Sequence, residues 1–553
     1  MDYNYLAELL FPNIKTQIID IENKYPKRIL KEGEKVTRLA PSPTGYIHLG
    51  NFYGAVIDER LAHQNDNSGI FYIRIEDTDS KRLVDGSIDL IVKTFDEYGL
   101  KIDEGVTING ESGQYGPYYQ SKRAEIYQTF AKALIKKGLA YPCFCSEESL
   151  SNMRQTQEKL KENFGYYGKY ASCRNLSLSE IEENIKNGNK FVLRFKSNGN
   201  IENKIKFNDL VKGTLEITEN DQDHVLLKSD GIPTYHFAHV CDDYLMGTTH
   251  VVRGEEWLST LPLHLQLFKA LEIKQPKYIH TAHLMKFDDG VKRKLSKRKD
   301  PEASMSFYSA QGYPAACVIE YLMTLINSNY EEWRMVNPEK DYKQFPFSPK
   351  KMATSGTLFD IDKLTDVSKN TIAVMSAQQV YTLCTTWAKE NDLTLFNALT
   401  EDEQKAIKIF SIGRGGKKPR KDFAKWNEVK EYLDFFYENL CTFQYNYPEN
   451  ISKEDMIKIL QSYLTIYNEN DDNNTWFEKI TNLAVENGFA AKPKDYKNDP
   501  DSYKGHVGDV SQVIRVALTG RQNSPDMFES MQILGKENSL KRIEKGLNFL
   551  KNN

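Results

Sequence analysis

No stretch of these 553 residues stays apolar long enough to cross a bilayer, so a membrane-embedded role is not expected. Cysteine is scarce. Seven residues, an odd number in so long a chain, argue against a disulfide framework and for a reducing cytoplasm. The opening MDYNYLAELLFPNIKTQ carries acidic Asp2 and Glu8 and lacks the apolar core of a secretion signal. An excess of one charge is missing too: the formal net charge of −4 argues against a protein that coats nucleic acid indiscriminately, while leaving room for local basic surfaces. There is no internal repeat, no low-complexity tract, and no GxxxxGK[ST] phosphate loop.

What remains is an ordinary globular composition, 40% hydrophobic and 27% charged, in a chain too long for a single core. Residues 1–34 read as a short helical extension, with Leu6, Leu9 and Leu10 on one face, followed by a polar linker. From Lys35 the pattern becomes strand (VTRLA), helix (after Gly50) and strand (GIFYIRIEDTD), a βαβ unit of a parallel sheet. The second strand delivers Glu76, Asp77 and Asp79 to the carboxyl edge, where such sheets bind ligands. Mixed texture over 107–228 interrupts the sheet, which resumes at DHVLLKSDGIPTYHFAHV and THVVRGEEW. After about Ser376 the chain turns helical. Ser452 with Asp455 forms a cap before the stripe Met456, Ile459, Leu460, Tyr463, Leu464 and Tyr467, and the last helix repeats the device with Leu540, Ile543, Leu547 and Leu550. These stripes are expected to be core.

Two segments carry chemistry. PSPTGYIHLGN (41–51) lies between the first strand and the helix; its prolines stop the strand, and Gly45 and Gly50 let a ligand approach the main chain. The order strand, turn, helix N-terminus suits phosphate, although a plain Pro/Gly turn reads equally well on this stretch alone. VKRKLSKRK (291–299) holds six basic side chains in nine positions after the turn-rich HLMKFDDG. A charge run is usually a solvated face. On a mobile loop, lysines can instead close over a polyphosphate and neutralise the charge that builds up as pyrophosphate leaves.

Together the two segments resemble the HIGH and KMSKS regions of the class I aminoacyl-tRNA synthetases, with KLSKR (294–298) at the second. RIEDTD, DGIPTYHFAHVCDD, VVRGEEWLSTLPLHLQLFKAL and the tail GDVSQVIRVALTGRQNSPDMFESMQILGKENSLKRI are similar to the glutamyl-tRNA synthetases of bacteria, in order from about 35 to 550. The resemblance implies an α/β fold: a Rossmann-type parallel sheet split by an α/β insertion, followed by an α-helical anticodon-binding domain. The implied domains are an extension (1–34), two catalytic halves (35–106 and 229–275), an acceptor-binding insertion (107–228), a stem-contact domain with the KLSKR loop (276–375), and the anticodon-binding domain (376–553).

The implied reaction joins L-glutamate to tRNA(Glu) through glutamyl-adenylate, with ATP and Mg²⁺, in a cytoplasmic monomer. A non-discriminating enzyme that also charges tRNA(Gln) is the alternative. His48 matches the first histidine of HIGH and Asn51 replaces the last; Lys297 matches the second lysine of KMSKS and Lys294 the first. His48, Gly50, Asn51, Trp257, Lys294, Lys297 and the carbonyls near Leu284 would surround ATP. Arg38, Ser42, Glu76, Tyr235 and Arg253 would hold glutamate. Glu76 and Ser42 suit its ammonium, Arg253 the α-carboxylate, and Arg38 with Tyr235 the side-chain carboxylate. Some relatives place asparagine at His239.

Cys143, Cys145 and Cys173 resemble a zinc site found in the insertion of some relatives, with Asn175 where those have histidine and Tyr170 as a possible fourth ligand. Three buried reduced cysteines read equally well. Arg82, Arg414 and Arg420 are candidate tRNA contacts, the last two in the basic loop SIGRGGKKPRK with Lys417, Lys418 and Lys421. Three rivals stand against this. A base-glutamylating paralogue would lack the helical C-terminal domain, a glutaminyl enzyme would have a PEPNG-like entry in place of APSPTG, and a dead relative would have eroded His48 or Lys297.

Overall fold

The computed structural model describes all residues except 65–67, 80–82, 417 and 442. Two compact units result: Met1–Phe307 with Leu322–Asp360, and Tyr308–Tyr321 with Ile361–Asn553. The stretch 276–375, expected as one domain, contributes to both.

The first unit opens with α1 (Tyr3–Leu10), capped by the Asp2 carboxylate through the N–H groups of Asn4 and Tyr5, and α2 (Ile18–Lys24). Leu6, Ala7 and Leu10 are buried, whereas Leu9 stays half-buried. The core of the unit is a parallel sheet built on β1 (Val36–Leu39). All four residues of β1 are buried, as expected of a strand covered on both faces. The helix α3 (Leu49–Ala62) crosses over to β2 (Ile70–Ile73), which pairs with β1 in register Val36↔Ile70. The strand β3 (Glu104–Thr107) continues the sheet in parallel and β4 (Gly110–Ser112) closes its edge antiparallel.

The insertion begins with α4 (Ala124–Lys136), onto which α1 packs. It contains an antiparallel sheet of β5 (Ala140–Cys143), β6 (Val192–Phe195) and β9 (Val225–Leu227), and a separate hairpin of β7 (Lys204–Asp209) and β8 (Gly213–Thr218). The chain then returns through α5 (Tyr235–Leu245) to β10 (His250–Gly254), α6 (Leu261–Leu271) and β11 (Lys277–Thr281), with β10 and β11 parallel. At their meeting edge Thr249 N–H donates to Val36 O at 2.9 Å, and Val36 N–H to Thr249 Oγ1 at 2.8 Å, so β10 lies beside β1. The basic segment follows as a hairpin of β12 (Leu284–Asp288) and β13 (Val291–Lys294).

The second unit is helical around one apolar core. Ser452 caps the helix Lys453–Ile466 by accepting from Asp455 N–H at 3.1 Å, and Met456, Ile459, Leu460 and Tyr463 turn inward as the stripe predicts. In the last helix Ile543, Leu547 and Leu550 are buried, while Leu540 is half-buried against the same core.

The N-terminal 34 residues are fastened by two cations. The Lys132 ammonium donates to Phe11 O, Ile14 O and Glu8 Oε2 at 3.0, 2.6 and 2.9 Å. Arg28 forks onto Glu104 at 2.7 and 2.6 Å, donates to Met246 O at 2.7 Å, and lies over the Tyr115 ring. Arg28→Ala should therefore leave the half-buried Glu104 carboxylate without its counter-charge, held only by the Tyr118 hydroxyl at 2.9 Å, and should destabilise the first unit by about 3 kcal/mol. Thermal melts of the variant should show that unit's transition lowered by several degrees, with the helical unit's transition unmoved.

Candidate active site

Strand ends and helix starts of both sheet halves meet at a cleft of about 420 Å³, lined among others by Arg38, Ser42, His48, Gly50, Asn51, Glu76, Tyr235, Arg253, Trp257 and Lys294. Every residue expected to touch the small substrates is on this wall except Lys297. The entrance is the 41–51 turn, where Gly45 adopts φ +114, a conformation that a side chain would strain. His48 is the N-cap of α3: its Nδ1 accepts from Gly50 N–H at 2.9 Å. A Cβ on residue 50 would stand 3.1 Å from that nitrogen, so glycine makes room for the cap. With Nδ1 accepting, the ring's proton sits on Nε2, where it can donate to an anion. Burial, then Lys297 and Lys294, lowers the His48 pKa to about 4, which keeps the ring neutral.

The basic hairpin is pinned. Arg293 forks onto Asp300 at 2.7 and 2.7 Å and reaches Asp288 at 2.6 Å, and Asp300 also accepts from Ser296 N–H. Arg293, one cation of the charge run, thus anchors the base of the loop that carries Lys297. Lys297 donates to Tyr46 O at 2.9 Å, which ties the loop to the 41–51 turn. Lys294 stands in the cleft wall, 3.9 Å from Glu256.

At the floor, charge is handled by buried partners. Arg38 Nε lies 3.3 Å from both oxygens of Asp243, and its Nη1 donates to Val252 O at 3.4 Å. Burial works against the Arg38 charge, and Asp243 outweighs it. Glu76 Oε1 lies 3.7 Å from the Arg74 guanidinium, buried and without a hydrogen bond. Burial raises its pKa to about 7, against the opposing pull of Arg74 and Arg38. Tyr235 packs at 4.4 Å against Trp257 and stacks on His239. His239 lies wholly inside, bonded to the Tyr278 hydroxyl at 2.9 Å with its other nitrogen 2.5 Å from Asp243. Ser42 is exposed at the rim.

Three expected site residues are placed elsewhere or fall outside the described residues. The thiols of Cys143, Cys145 and Cys173 lie within 4.8 Å of one another, but Tyr170 is not with them, since its hydroxyl donates to Glu162 at 2.6 Å. Tyr166 takes that place, with its hydroxyl 3.5 Å from Cys143, 3.3 Å from Cys145 and 3.0 Å from Cys173 N. Arg414 is half-buried and donates from Nε to Phe410 O and from Nη1 to Ile372 O at 2.6 Å each, so much of its guanidinium closes helix ends. Arg420 pairs with Asp422 and reaches Ser524 O, remaining 40% exposed. Arg82 lies outside the described residues.

The family described as "tRNA synthetases class I (E and Q), catalytic domain" matches residues 34–366, and "Anticodon binding domain" matches 501–547. The chain is 54% identical to a glutamate–tRNA ligase of Acetivibrio thermocellus, over 99% of this chain and 100% of that protein. It is 48% identical to one of Clostridium beijerinckii, over 99% and 100%. Among solved structures, a glutamate tRNA ligase from Elizabethkingia meningosepticum in complex with its amino acid superposes with TM-score 0.73 and 26% identity, covering 94% of this chain and 100% of that one.

The Glu76 titration gives a direct check. With a folded pKa of about 7 against 4.5 for the free group, the folded state binds the extra proton between those values. Stability of the ligand-free protein should then fall by about 3 kcal/mol as pH rises through that window. Glu76→Gln should flatten this slope and melt above the parent at pH 8 but not at pH 4.5; parallel melting curves across that range would show Glu76 titrating normally.

Proposed function

The chain belongs to the glutamate–tRNA ligases of the class I aminoacyl-tRNA synthetases, and from that premise we propose how its own residues carry the reaction. It joins L-glutamate to tRNA(Glu) with ATP. The substrate α-carboxylate attacks the α-phosphorus; an oxygen–phosphorus bond forms, and the bond to the leaving pyrophosphate breaks. The terminal ribose hydroxyl of the tRNA then attacks the mixed anhydride and releases AMP.

The observation that carries the residue assignment is that one cleft gathers groups for both small substrates. Arg253 receives the α-carboxylate. Glu76, poised near neutrality, ionises against the ammonium, with Ser42 beside it. Arg38 and Tyr235 read the side-chain carboxylate. Gly50, Asn51 and Trp257 flank the nucleotide. His48 donates from Nε2 to the phosphates, and a neutral donor there strengthens as charge develops without locking the ground state. Lys294 and Lys297 answer the negative charge that collects on departing pyrophosphate. Mg²⁺ arriving with ATP supplies further phosphate neutralisation. The enzyme's share of the work is positioning and charge stabilisation, for which no strong base is needed.

The insertion is assigned to the acceptor end of the tRNA, the region 276–375 to its stem, and the helical unit to its anticodon, with Arg420 the exposed candidate in its basic loop. The three thiols and the Tyr166 hydroxyl have the number and closeness that a tetrahedral zinc requires. Hydrogen bonds from Cys145 and Cys173 hold Cys143 below the usual thiol range, and the same contacts push Cys173 above it, so the three thiols share one thiolate until a cation arrives. Bound there, zinc would brace the insertion. Seven cysteines, few and odd in number for so long a chain, favour a reducing cytoplasm as the working compartment. No described helix is long and apolar enough to cross a membrane.

Charging total tRNA with labelled glutamate and identifying each acceptor tests the function. Glutamate tRNA alone marks a discriminating enzyme, added glutamine tRNA a non-discriminating one, and no acylation overturns the reading. Lys297→Ala should lower pyrophosphate exchange about a hundred- to a thousandfold while leaving the KM for glutamate nearly intact. Unchanged exchange would remove Lys297 from the chemistry. Protein purified without chelators should carry close to one zinc per chain, lost in Cys143→Ser; a metal-free, fully active parent would assign the thiols to packing.

A further inference from the structure

Arg253 differs from three other buried arginines of the first unit. Arg38 and Arg74 each pair with Asp243, and Arg123 pairs with Asp242. Among the described residues Arg253, 7% exposed, forms no ion pair. Two imidazole lone pairs hold it instead: Nε donates to His280 Nε2 at 2.9 Å and Nη1 to His264 Nδ1 at 3.0 Å, while Nη2 is buried and unpartnered. An imidazole that accepts on one nitrogen carries its proton on the other. For His280 that proton is on Nδ1, and Asp209 Oδ2 accepts it at 2.7 Å while also taking the His280 backbone N–H at 3.2 Å. The other oxygen of Asp209 accepts from Val211 N–H and Lys212 N–H at 2.9 and 2.8 Å, so the carboxylate cannot turn.

These three residues come from three strands. Asp209 ends β7 in the insertion, His280 lies on β11, and Arg253 is its register partner on β10. The Tyr278 ring stacks on His280 and lies 4.7 Å from the Arg253 guanidinium, which fixes the plane of both. We infer that Asp209 and His280 form a positioning relay that sets the His280 tautomer and so aims the unpaired edge of Arg253 at the substrate's α-carboxylate. The inference rests on the assignment of Arg253 to that carboxylate.

The arrangement has a physical reason. A carboxylate placed directly on Arg253 would neutralise its charge and compete with the substrate for its N–H groups. Interposing a neutral imidazole lets Asp209 orient the guanidinium while leaving its full charge for the ligand. A His280 with its proton on Nε2 would turn donor against donor and push Arg253 aside. Burial holds His280 below its ordinary range despite the opposing pull of Asp209, and it holds His264 well below, so both stay neutral acceptors.

The test uses the full-length enzyme with tRNA, read by pyrophosphate exchange. Asp209→Asn leaves one of its amide sites facing donors, and His280→Phe removes the acceptor; each should raise the KM for glutamate about ten- to a hundredfold. The KM for ATP should stay within about twofold. His280→Gln, whose amide oxygen can stand where Nε2 stood, should recover most of the loss, and this Phe-to-Gln comparison carries the test if Asp209→Asn does not fold. A glutamate analogue with its α-carboxylate reduced to an alcohol should inhibit parent and variants about equally. Arg253→Gln is the control. If it leaves the KM for glutamate unchanged, the Arg253 assignment fails and the relay with it. If it raises that KM while the Asp209 and His280 variants do not, or if those variants weaken ATP, analogue and glutamate alike, the relay alone is overturned.

Discussion

Two adjacent carboxylates on α5, Asp242 and Asp243, hold the catalytic unit together. Both are fully buried, at 0% and 1% exposure, where an unpaired charge would be prohibitive. Asp243 is surrounded by Arg74 at 2.8 Å, Arg38 at 3.3 Å, and the hydroxyls of Tyr72 and Thr248 at 3.2 and 3.1 Å. Asp242 takes Arg123 and Tyr127 at 2.7 Å each and Gln120 at 2.9 Å. Through these contacts one helix turn fastens β1, β2 and the start of the insertion. Burial pushes Asp243 toward its neutral form, yet Arg38 and Arg74 hold it well below the carboxylate range. The sheet's basic residues and the helix's acids are therefore tolerable only together.

That pair also sorts the arginines by task. Arg38 enters the cleft already matched to Asp243, so an incoming carboxylate shares it with a resident one and geometry governs the contact. Arg253 meets only neutral rings. Other cations serve structure outright: Lys132 closes the N-terminal extension against backbone carbonyls, and Arg414 does the same for helix ends in the second unit. A buried cation thus reports on function only when its partners are counted, since one saturated by carbonyls or carboxylates has little left for a ligand.

The elements most legible in sequence were those set by local pattern. The buried run of β1, the turn at 41–51, the stripe from Met456 to Tyr463 and the cap at Ser452 follow from side-chain spacing and backbone stereochemistry alone. The cleft residues came from ordered motifs, and all but Lys297 line it. What stayed hidden depends on contacts between distant segments. Asp209 gives no sign within KFND that it will meet His280. Tyr166 and Tyr170 both precede Cys173 by less than eight residues, and nothing local shows that the hydroxyl of Tyr166 turns toward the thiols while that of Tyr170 goes to Glu162. Arg414 and Arg420 look alike in a basic loop, yet much of one is taken up by helix-end carbonyls. Arg293 sits among five basic neighbours with no local cue that Asp300 will claim it.

The extension and the first strand find their partners late in the chain. Arg28 waits for Met246, Val36 for Thr249, and Arg38 for Asp243, across 218, 213 and 205 residues. At about 5–20 residues per second on a ribosome, the β1 edge stands open for roughly ten to forty seconds before its neighbour exists. Contacts so distant also make closure of the sheet slow once synthesis is complete. The nascent chain's demand for shelter, from a chaperone or from the early-folding insertion, is thus written into the choice to split one sheet around another domain.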